Sequence, residues 1–449
     1  MTNQHGKRVL VVGQGAREHA LAWKLTRSPA VGEVFAAPGN YGTALVGANI
    51  DLPVTAVEEL ASWAERATID LTVVGPEAAL AAGIVDVFRA RGLCIFGPTR
   101  AAARLESSKV WAKAFMARHD IPTAAYREFG EREAAVSYVR TLGPADYPLV
   151  VKVDGLASGK GVSIAGDKHA AIGAVEAALI PAGKPARIVI EQFLHGFEVS
   201  FLAISDGAEA RPVACAHDYK HAQAGGSGPM TGGMGAYSPL GFEDQLTERV
   251  MTEIIEPTIR GMVAEGTPYA GILYAGLMLT ADGPKVLEFN ARFGDPETQV
   301  ILPRWNDDLY RVLVAAAGGM LESLPPFTWN DAHHCGVVLA SAGYPNATEI
   351  GFPIQGLSNV NERIMVFHGG VRADERTGQP CTAGGRVLTV VGSGPTAAAA
   401  RGAANEAADR IRFEGGWRRE DIGILRPEEL GLLERSGMVP STALDPSVP

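Results

Sequence analysis

The chain has 449 residues, of which 47% are hydrophobic and 20% are charged, and its formal net charge is −10. A chain of this length is expected to form about two to four domains, each with its own hydrophobic core. The acidic balance argues against nucleic acid or an anionic membrane surface as the main partner, because both attract positive charge. It leaves phosphorylated ligands open, since glycine-rich loops and single lysines bind phosphate whatever the net charge.

Signals for membranes, secretion and disulfides are missing from the sequence. No run of about 20 apolar residues occurs, so no membrane-spanning segment is expected. The polar start at residues 1–7 does not resemble a signal peptide. Cys94, Cys215, Cys335 and Cys381 lack the spacing of zinc or redox sites. We therefore expect free thiols and a cytoplasmic protein.

The first hundred residues alternate strand patterns with helix patterns. Strands are predicted at 8–12, 34–37, 71–74 and 94–96, and helices at 17–27, 57–66 and 84–91. This alternation predicts a parallel α/β sheet with helices on both faces. The first domain is predicted to end near residue 100, at Gly97-Pro98.

The middle of the chain changes character. A helix at 107–119 precedes a small α+β unit, with strands at 149–153, 162–165 and 187–193 and a helix at 170–179. Further strands are predicted at 198–204 and 211–216, and a hairpin at 272–279 and 285–289. The glycine-rich stretch 221–239 is predicted to be a long loop, either functional or disordered.

A third region begins near residue 330. Strands are predicted at 336–340, 364–367 and 386–391, and a helix at 396–411. The charge cluster 426–435 is interpreted as a solvated helix, and a frayed tail is expected after about residue 433. The neighbouring His333 and His334 have no metal-like companion and are expected at the surface.

The loop after the first strand reads Gly13-Gln14-Gly15-Ala16-Arg17-Glu18. A dinucleotide fingerprint would need a third glycine where Glu18 stands and an acid after the second strand, so a nicotinamide cofactor is not expected. The loop favours a phosphate at the N-terminus of the following helix, with Arg17 as an added charge. A tight turn without a ligand is the alternative.

The segment 154–162, Asp-Gly-Leu-Ala-Ser-Gly-Lys-Gly-Val, resembles a P-loop without matching it. Its spacing is one residue short, and Gly161 stands where a P-loop has the magnesium-binding Ser or Thr. The segment also lies between two strands. We interpret it as a glycine hairpin that closes over nucleotide phosphates, with Lys152 reaching the same phosphates. A plain glycine-rich hairpin is the alternative.

Glu288 and Asn290 stand two residues apart at the end of a predicted strand and therefore point to the same side. Two hard oxygen ligands suit Mg²⁺ that bridges nucleotide phosphates, because this ion keeps several waters and needs few protein ligands. A polar strand end without metal is the alternative. It is disfavoured by the separate phosphate hairpin in the same chain.

Specific runs extend the signal over nearly the whole chain, from about Arg8 to about Ile424. They read REHALAW (17–23), VGPE (74–77), FGPT (96–99), LESSK (105–109), KVDGLASGKGV (152–162), TGGMGAYSP (231–239) and EFNARFGDPETQ (288–299). Together they resemble the ATP-grasp superfamily and, more closely, its glycinamide ribonucleotide synthetase family.

The resemblance implies an α/β and α+β fold: an ATP-grasp core preceded by a Rossmann-like parallel-sheet domain. The implied boundaries are 1–101 for the N-terminal substrate domain, 102–121 with 191–329 for the ATP-grasp core, 122–190 for an inserted lid, and 330–426 for a C-terminal α+β domain. A flexible tail is expected at 427–449.

The resemblance also assigns roles to single residues. Arg292, Lys152 and Asp295 are the implied catalytic residues, and Glu288 and Asn290 the implied metal ligands. The implied nucleotide-binding residues are Lys109, Lys152, Gly155, Ser158, Gly159, Lys160, Gly161, Glu191, Phe193, Leu194 and Glu198. The implied substrate-binding residues are Gly13, Gly15, Arg17, Glu18, Gly39, Asn40, Glu77, Asp218, Lys220, Gly233, Met234, Gly235 and Arg292.

The reaction implied by the family joins glycine to 5-phosphoribosylamine for de novo purine biosynthesis, with ATP consumed and a glycyl phosphate as intermediate. ATP and Mg²⁺, with Mn²⁺ as a substitute, are the implied cofactors. The expected partners are small molecules only, an amino acid and a phosphorylated sugar amine, and the expected assembly is a monomer or weak homodimer. No protein nucleophile is needed, and the sequence shows no persuasive signature of one.

Four positions depart from the family pattern where the family handles its other substrates: Ala16, Tyr41, His221 and Met230. Ordinary drift explains them. A paralogue with the same acyl-phosphate chemistry and a different amine or amino acid explains them too, because such a protein would keep its ATP site and alter its acceptor site. A third alternative, a nucleotide-binding regulator without catalysis, is disfavoured by the intact ATP and metal motifs.

Overall fold

The computed structural model describes residues 6–156, 161–179 and 186–438. Three of its sheets carry the architecture: a parallel sheet of five strands, a small sheet of four strands and a long sheet of eight strands. Within these ranges, no helix combines the length and the apolar character needed to cross a bilayer. The described cysteines are free thiols, as expected, and all but Cys94 are buried.

The N-terminal sheet is parallel and is covered on both faces, which confirms the prediction. Its strands are β1 (Lys7–Gly13), β2 (Val31–Pro38), β3 (Ala48–Asn49), β4 (Leu71–Val74) and β5 (Ile95–Phe96), in the order β3-β2-β1-β4-β5. Its helices are α1 (Ala16–Leu25), α2 (Thr43–Val46), α3 (Val57–Arg66), α4 (Glu77–Ala82) and α5 (Ile84–Ala90). Alternate residues of β1 enter two different hydrophobic clusters, Leu10 and Val12 one, Val9 and Val11 the other.

Two helices, α6 (Arg104–Ser107) and α7 (Lys109–Arg118), lead to the small antiparallel sheet. Its strands are β6 (Tyr126–Phe129), β7 (Leu149–Val153), β8 (Val162–Ala165) and β9 (Ile188–Gln192), in the order β6-β9-β7-β8. Helices α8 (Arg132–Thr141) and α9 (Lys168–Ala178) close a separate small core around Val139, Val151 and Ile190. This unit can therefore hold its shape apart from the rest of the molecule.

The remaining strands follow in chain order: β10 (Phe197–Asp206), β11 (Ala210–Asp218), β12 (His221–Gln223), β13 (Ser227–Met230), β14 (Gly235–Ser238), β15 (Ala270–Thr280), β16 (Gly283–Asn290), β17 (His333–Ala340), β18 (Met365–His368), β19 (Val371–Ala373), β20 (Pro380–Thr382) and β21 (Arg386–Gly394). Eight of them form one antiparallel sheet in the order β16-β15-β10-β11-β14-β17-β21-β18. The pairs β12–β13 and β19–β20 are separate hairpins. The predicted hairpin around Asp282-Gly283 is confirmed as β15–β16.

Helices cover the long sheet. They are α10 (Glu243–Val250), α11 (Glu256–Ala264), α12 (Glu297–Ile301), α13 (Leu309–Ala317), α14 (Ala397–Ala408) and α15 (Pro427–Arg435), and a π-helical turn, Met251–Ile255, joins α10 to α11. The chain is thus helical where the domain division expected a flexible tail, and Leu433 of α15 is fully buried. The part of the expected tail at 439–449 lies outside the described residues.

Two further sequence expectations are wrong. The stretch 221–239 is not one long loop, because it contains the β12–β13 hairpin and the strand β14. His333 and His334 are not at the surface: they begin β17, which lies inside the long sheet between β14 and β21, and both are buried. Pairing with β11 and β17 buries β14, and the strands on either side bury the start of β17, whereas β12 and β13 form a separate hairpin and stay largely exposed. The local residue pattern carries no trace of the long-range pairing.

Candidate functional site

A cavity of about 480 Å³ lies where α7 and the small sheet face the end of β16. It brings together predicted residues from the first and middle parts of the chain, and Arg386 from the third part, which was not predicted. The charged residues that line it are Arg17, Glu77, Glu106, Lys109, Lys113, Lys152, Glu191, Glu198, Asp218, Lys220, Glu288, Arg292, Asp295, Glu297 and Arg386. Phe193, Leu194 and Asn290 line it as well. We call it the first cavity.

Lys109 is held at one wall of the first cavity by the start of α7. Ser108 caps this helix and donates its hydroxyl to Asp154 at 3.1 Å, and the N–H of Val110 donates to the same carboxylate at 3.1 Å. The ammonium group of Lys109 then donates to the carbonyl of Gly155 at 2.9 Å. Of the predicted hairpin residues, Gly155 and Gly161 line the cavity, whereas three lie outside the described residues: Ser158, Gly159 and Lys160.

A buried charge cluster forms the floor beside Lys109. Lys152 of β7 and Lys113 of α7 both contact Oε2 of Glu191, at 3.1 and 2.8 Å. Lys152 also donates to the carbonyl of Leu287 at 2.8 Å. Burial lowers the pKa of Lys113 to about 8, although the charge of Glu191 acts in the opposite direction. The second oxygen of Glu191, Oε1, is buried and has no hydrogen-bond partner in the part of the chain that the structure describes.

Glu288 and Asn290, at the end of β16, both line the cavity. Burial alone would raise the pKa of Glu288, but Lys220, Lys152 and Lys109 outweigh it and lower that pKa. Glu288 is therefore a carboxylate at neutral pH. The described residues contain no group of three or more His, Cys, Asp or Glu side chains that could hold a metal ion.

Arg292 follows β16 and is surrounded by acids. Its guanidinium group lies 3.2 Å from Glu106 and 3.3 Å from Glu77, and it donates to Oδ1 of Asn290 at 3.0 Å. Burial opposes its charge, but the two acids raise the pKa of Arg292. Burial would also raise the pKa of Glu77, yet Arg292 and Arg17 outweigh it and lower that pKa. At Glu106 burial prevails and raises the pKa.

A second set of charged residues comes from three elements and the segment after β11: Glu198 on β10, Asp218 at the end of β11, Lys220 just after it and Glu297 on α12. Lys220 forms an ion pair with Glu198, and this charge outweighs burial and raises the pKa of Lys220. Burial, with Glu297 adding to it, raises the pKa of Asp218, whose Oδ1 has no partner among the described residues. Glu297 accepts hydrogen bonds from Tyr274 at 2.9 Å and from Ser200 at 2.8 Å, so its carboxylate is fixed in place.

A second cavity, of about 740 Å³, lies between the N-terminal loops and the C-terminal strands. Asp295 and Arg386 line both cavities. Arg386 donates to the carbonyls of Gly232 at 2.6 Å and Asp295 at 2.7 Å, and lies 3.4 Å from the Asp295 carboxylate. Burial would raise the pKa of Asp295, but Arg386 and Arg17 outweigh it and lower that pKa. The pair forms a charged wall between the cavities.

The predicted residues of the first loop have different positions. Glu18 turns back and accepts from the N–H of Gly15 at 2.5 Å and from Arg17 at 2.6 Å, so it lines neither cavity. Gly13 has φ +134°, and a Cβ there would come within 2.4 Å of the Glu18 side chain. Gly13 and Glu18 therefore shape the loop, whereas Arg17 lines the first cavity and Gly15 the second.

Gly39 and Asn40 line the second cavity. The amide group of Asn40 is largely engaged, because it donates to the carbonyl of Gln14 at 2.8 Å and accepts from the N–H of Thr43 at 2.9 Å. Gly233, Met234 and Gly235 line neither cavity. Met234 is fully buried, and Gly233 lies so close to Asp218 that a Cβ would come within 2.6 Å of its Oδ1. These three residues of the glycine-rich turn therefore pack behind the residues that line the cavity.

Four charged residues that line the first cavity were missing from the sequence prediction: Glu106, Lys113, Glu297 and Arg386. Lys113 stands four residues after Lys109 on a helix, which is a usable signal because such residues share a face. Glu106 and Glu297 lie within the runs LESSK and EFNARFGDPETQ. Arg386 carries no local signal, since only the fold brings β21 to the cavity.

Three of the four departures from the family pattern line the two cavities. Ala16 and Tyr41 line the second cavity, and Met230 lines the first. His221 and Met230 are direct cross-strand partners in the β12–β13 hairpin.

The class of protein follows from the fold and the cavity. A small antiparallel sheet and the end strands of a larger sheet enclose buried lysines, with a carboxylate and an amide on the last strand, after a parallel-sheet domain. This is the fold of ATP-grasp proteins. A biotin carboxylase domain of 2-oxoglutarate carboxylase from Hydrogenobacter thermophilus, solved with MgADP, ADP and bicarbonate, shares it with a TM-score of 0.68 at 16% identity, covering 99% of this chain and 98% of that one.

Family models match three consecutive parts of the chain: phosphoribosylglycinamide synthetase N domain at residues 7–106, ATP-grasp (A) domain at 107–298 and C domain at 334–425. A phosphoribosylamine–glycine ligase from Ralstonia nicotianae is 51% identical over 421 residues, 93% of this chain and 98% of that protein. The crystal structure of a phosphoribosylamine–glycine ligase from Thermotoga maritima matches with a TM-score of 0.80 at 34% identity, covering 92% and 100% of the two chains. The chain belongs to the phosphoribosylglycinamide synthetase family.

Proposed function

We propose that the protein is an ATP-dependent carboxylate–amine ligase that joins glycine to 5-phosphoribosylamine, giving glycinamide ribonucleotide, ADP and phosphate. The observation that carries the proposal is the meeting of Lys109, Lys152, Glu288 and Arg292 in one cavity of a chain 51% identical to a phosphoribosylamine–glycine ligase. Buried cations beside an ionised carboxylate are the groups with which proteins catalyse phosphoryl transfer.

The first cavity suits a nucleoside triphosphate. Lys109 and Lys152 supply positive charge for the phosphates, and the hairpin at 155–161 is the proposed cover. The run that includes Glu191, Phe193 and Leu194 lines the same cavity and is the proposed adenine wall. Glu198, held by Lys220, is the proposed ribose contact.

Glu288 and Asn290 fit Mg²⁺, with Mn²⁺ as a substitute. The charge of Glu288 is stabilised by surrounding lysines, and one Asn290 oxygen lies on the same side of β16. Mg²⁺ accepts so few protein ligands because phosphates and waters complete its shell. When bound, the ion neutralises charge on the transferred phosphoryl group.

The chemistry needs positioning more than covalent catalysis. A carboxylate oxygen of glycine takes the γ-phosphoryl group, ADP leaves, and the resulting acyl phosphate is attacked by the amine, which expels phosphate and loses a proton. Arg292 and Lys152 stabilise the negative charge that develops on the transferred phosphoryl group. Asp295 orients the substrate that accepts the activated acyl group. The acyl phosphate must be kept from water, so we propose that residues 122–190 act as a lid over it.

The second cavity is the proposed site of the phosphorylated amine. Gly15 and Gly39 offer close approach to the backbone, and Arg372 and Arg386 offer positive charge for a phosphate. Asp295 and Arg386 line both cavities. The amine bound in the second cavity would therefore meet the acyl phosphate formed in the first at this shared wall.

A ligase with the same acyl-phosphate chemistry and a different amine or amino acid is the second candidate. The observation that favours it is the position of three departures, Ala16, Tyr41 and Met230, on the cavity walls. For either substrate set we propose action in the cytoplasm on small molecules, as a monomer or weak homodimer. We also keep the division into 1–101, 102–121 with 191–329, 122–190 and 330–426 as the proposed domain arrangement.

ADP release tests the proposal. The purified protein receives Mg·ATP, glycine and phosphoribosylamine formed in place from ribose 5-phosphate and ammonia, and each component is omitted in turn. We expect release only when glycine and the amine are both present. ATP binding without release under these conditions would reject the purine substrates, and a panel of amines and amino acids would then test the second candidate.

A further inference from the structure

Lys113 is a buried cation to which the proposed chemistry assigns no role. It lies on α7, one helical turn after Lys109, and only 2% of its surface is exposed. Besides Glu191, it contacts the hydroxyl of Thr123, to which it donates at 2.7 Å. Thr123 in turn donates to the carbonyl of Val286 at 2.6 Å. A lysine is seldom buried without a partner or a purpose, because desolvation of its charge is costly.

The charges around Lys113 do not balance. Lys113 and Lys152 share one oxygen of Glu191, so two ammonium groups face a single carboxylate. The other acid acting on Lys113 is Glu288, which is also shared with Lys220 and Lys109. The cluster therefore keeps an excess of positive charge beside the first cavity. An anion bound in that cavity would neutralise this excess charge.

We infer that Lys113 is a positioning residue for the nucleotide: it neutralises Glu191, so that the charge of Lys152 remains available to the phosphates. Without Lys113, Glu191 and Lys152 would form a neutral one-to-one pair, and Lys152 would be drawn toward the carboxylate. The inference deepens the proposed function, on which it rests for the identity of the nucleotide. It adds no contact between Lys113 and the substrate.

The network also fixes where the excess charge lies. It joins α7 through Lys113, β9 through Glu191 and β7 through Lys152, and two carbonyls of β16 anchor it, Val286 through Thr123 and Leu287 directly. Glu288 follows these two residues on the same strand. The lysine pair and the proposed metal ligand are thus held by adjacent residues of β16, and the small sheet is tied to the core at the same place.

The test is direct binding of Mg·ATP, ADP and adenosine, measured by calorimetry without glycine or amine. Lys113→Met is expected to weaken Mg·ATP and ADP roughly tenfold to a hundredfold, because one unit charge near the phosphates is lost. Adenosine has no phosphate, so its affinity should stay within about twofold of wild type. Lys113→Arg keeps the charge and should recover most of the loss.

The decisive variant is the double substitution Lys113→Met with Glu191→Gln. It removes one positive and one negative charge and leaves Lys152 as the free cation. Because Glu191 also lies in the proposed adenine wall, Mg·ATP affinity is compared with adenosine affinity in the same variant, and their ratio should return to within about threefold of wild type. In the full reaction, Lys113→Met should raise KM for ATP and leave KM for glycine unchanged. Unchanged ATP affinity in Lys113→Met, an equal loss of adenosine, or a double variant as weak as the single one would each overturn the inference.

The double variant also covers the case in which Lys113→Met fails to fold, because it leaves no buried carboxylate short of a partner. A folded double variant in which the ratio of Mg·ATP affinity to adenosine affinity lies more than about tenfold below wild type would overturn the inference by itself. Failure of the proposed function gives a different result. Wild-type protein would then bind Mg·ATP without forming product from glycine and phosphoribosylamine, and the Lys113 measurements would still decide the role of this residue.

Discussion

Glu288 shows how single residues set the electrostatics of the first cavity. It is half-buried, and lysines from β7, α7 and the segment after β11 keep it ionised. A carboxylate prepared in this way binds a divalent cation without first losing a proton. Asn290, on the same strand, adds an oxygen without charge. The two proposed ligands therefore carry only one negative charge between them when no cation is bound.

We expect Glu288→Gln to lower kcat/KM roughly a hundredfold or more, because the amide keeps the shape and loses the charge that holds Mg²⁺. The Mg²⁺ concentration for half-maximal rate should rise in parallel, and steady-state assays over a Mg²⁺ series measure both. Asp282→Asn is the matched control, since its carboxylate lies in the turn of the same hairpin and is exposed. Near-normal activity of Glu288→Gln would reject the metal assignment.

The forked guanidinium group of Arg292 contacts two acids, Glu77 and Glu106. The single ammonium group of a lysine cannot reproduce this geometry. We expect Arg292→Lys to lower kcat about a hundredfold while KM for ATP changes less than about threefold, because the lost contacts stabilise the developing charge. Single-turnover measurements of ADP formation would separate this step from product release. A large rise in KM with kcat preserved would instead assign Arg292 to ground-state binding.

At this scale the sequence predicted the residues that lie in contiguous runs. Lys109, Lys152, Glu288, Asn290 and Arg292 all line the first cavity. Glu18 could not be placed from the pattern, because its rotamer, folded onto Gly15, depends on the loop around it. The charge balance around Glu191 was equally hidden, since it depends on three elements meeting in space.

Among the elements, α1 and β18 are joined by two histidines, a contact between the two ends of the chain. His19 accepts at Nδ1 from the N–H of His368 at 3.0 Å, and the rings lie 5.3 Å apart. Burial lowers the pKa of His19 to about 3 and that of His368 to about 4. Both rings are therefore neutral in the folded protein at any pH where the enzyme would work.

This contact predicts a pH dependence of stability. Between pH 6.5 and about 4 the unfolded chain holds protons on both histidines that the folded chain does not. The free energy of unfolding therefore rises with pH through this window, and the contribution is complete above it. Chemical unfolding at pH values from 5 to 7 measures how the free energy of unfolding depends on pH. We expect it to rise more steeply with pH in wild type than in the double variant His19→Asn with His368→Phe, by up to about 2.7 kcal/mol per pH unit. Parallel slopes would contradict the prediction.

Sequence patterns predicted those elements whose periodicity is local, such as the strands of the parallel sheet and the β15–β16 hairpin. They failed for β12 and β13, which are short and form a separate hairpin, and for β14, which gains its order from pairing with β11 and β17. The same reason explains β17, where His333 and His334 break an apolar pattern but lie between β14 and β21. Long-range pairing overrides local composition in both cases.

For the molecule as a whole, the long sheet is the feature that unites the parts. It runs without interruption from β16, which carries the proposed metal ligands, through β11 and β14 to β21, which carries Arg386. The C-terminal strands are therefore part of the same sheet as the nucleotide cavity. Through Arg386 they also close the wall between the two cavities.

This arrangement predicts that Arg386 affects the amine more than ATP. Arg386→Gln removes the cation that faces Asp295, so we expect kcat/KM for the amine to fall roughly tenfold to a hundredfold, the cost of a lost charged hydrogen bond. Arg386 contacts Asp295 and Gly232 and none of the described lysines. Mg·ATP affinity should therefore stay within about threefold of wild type. Arg363→Gln, exposed on the same part of the chain and lining neither cavity, is the control. An equal loss of ATP affinity would show that the two cavities bind as one site, and unchanged amine kinetics would place the amine elsewhere.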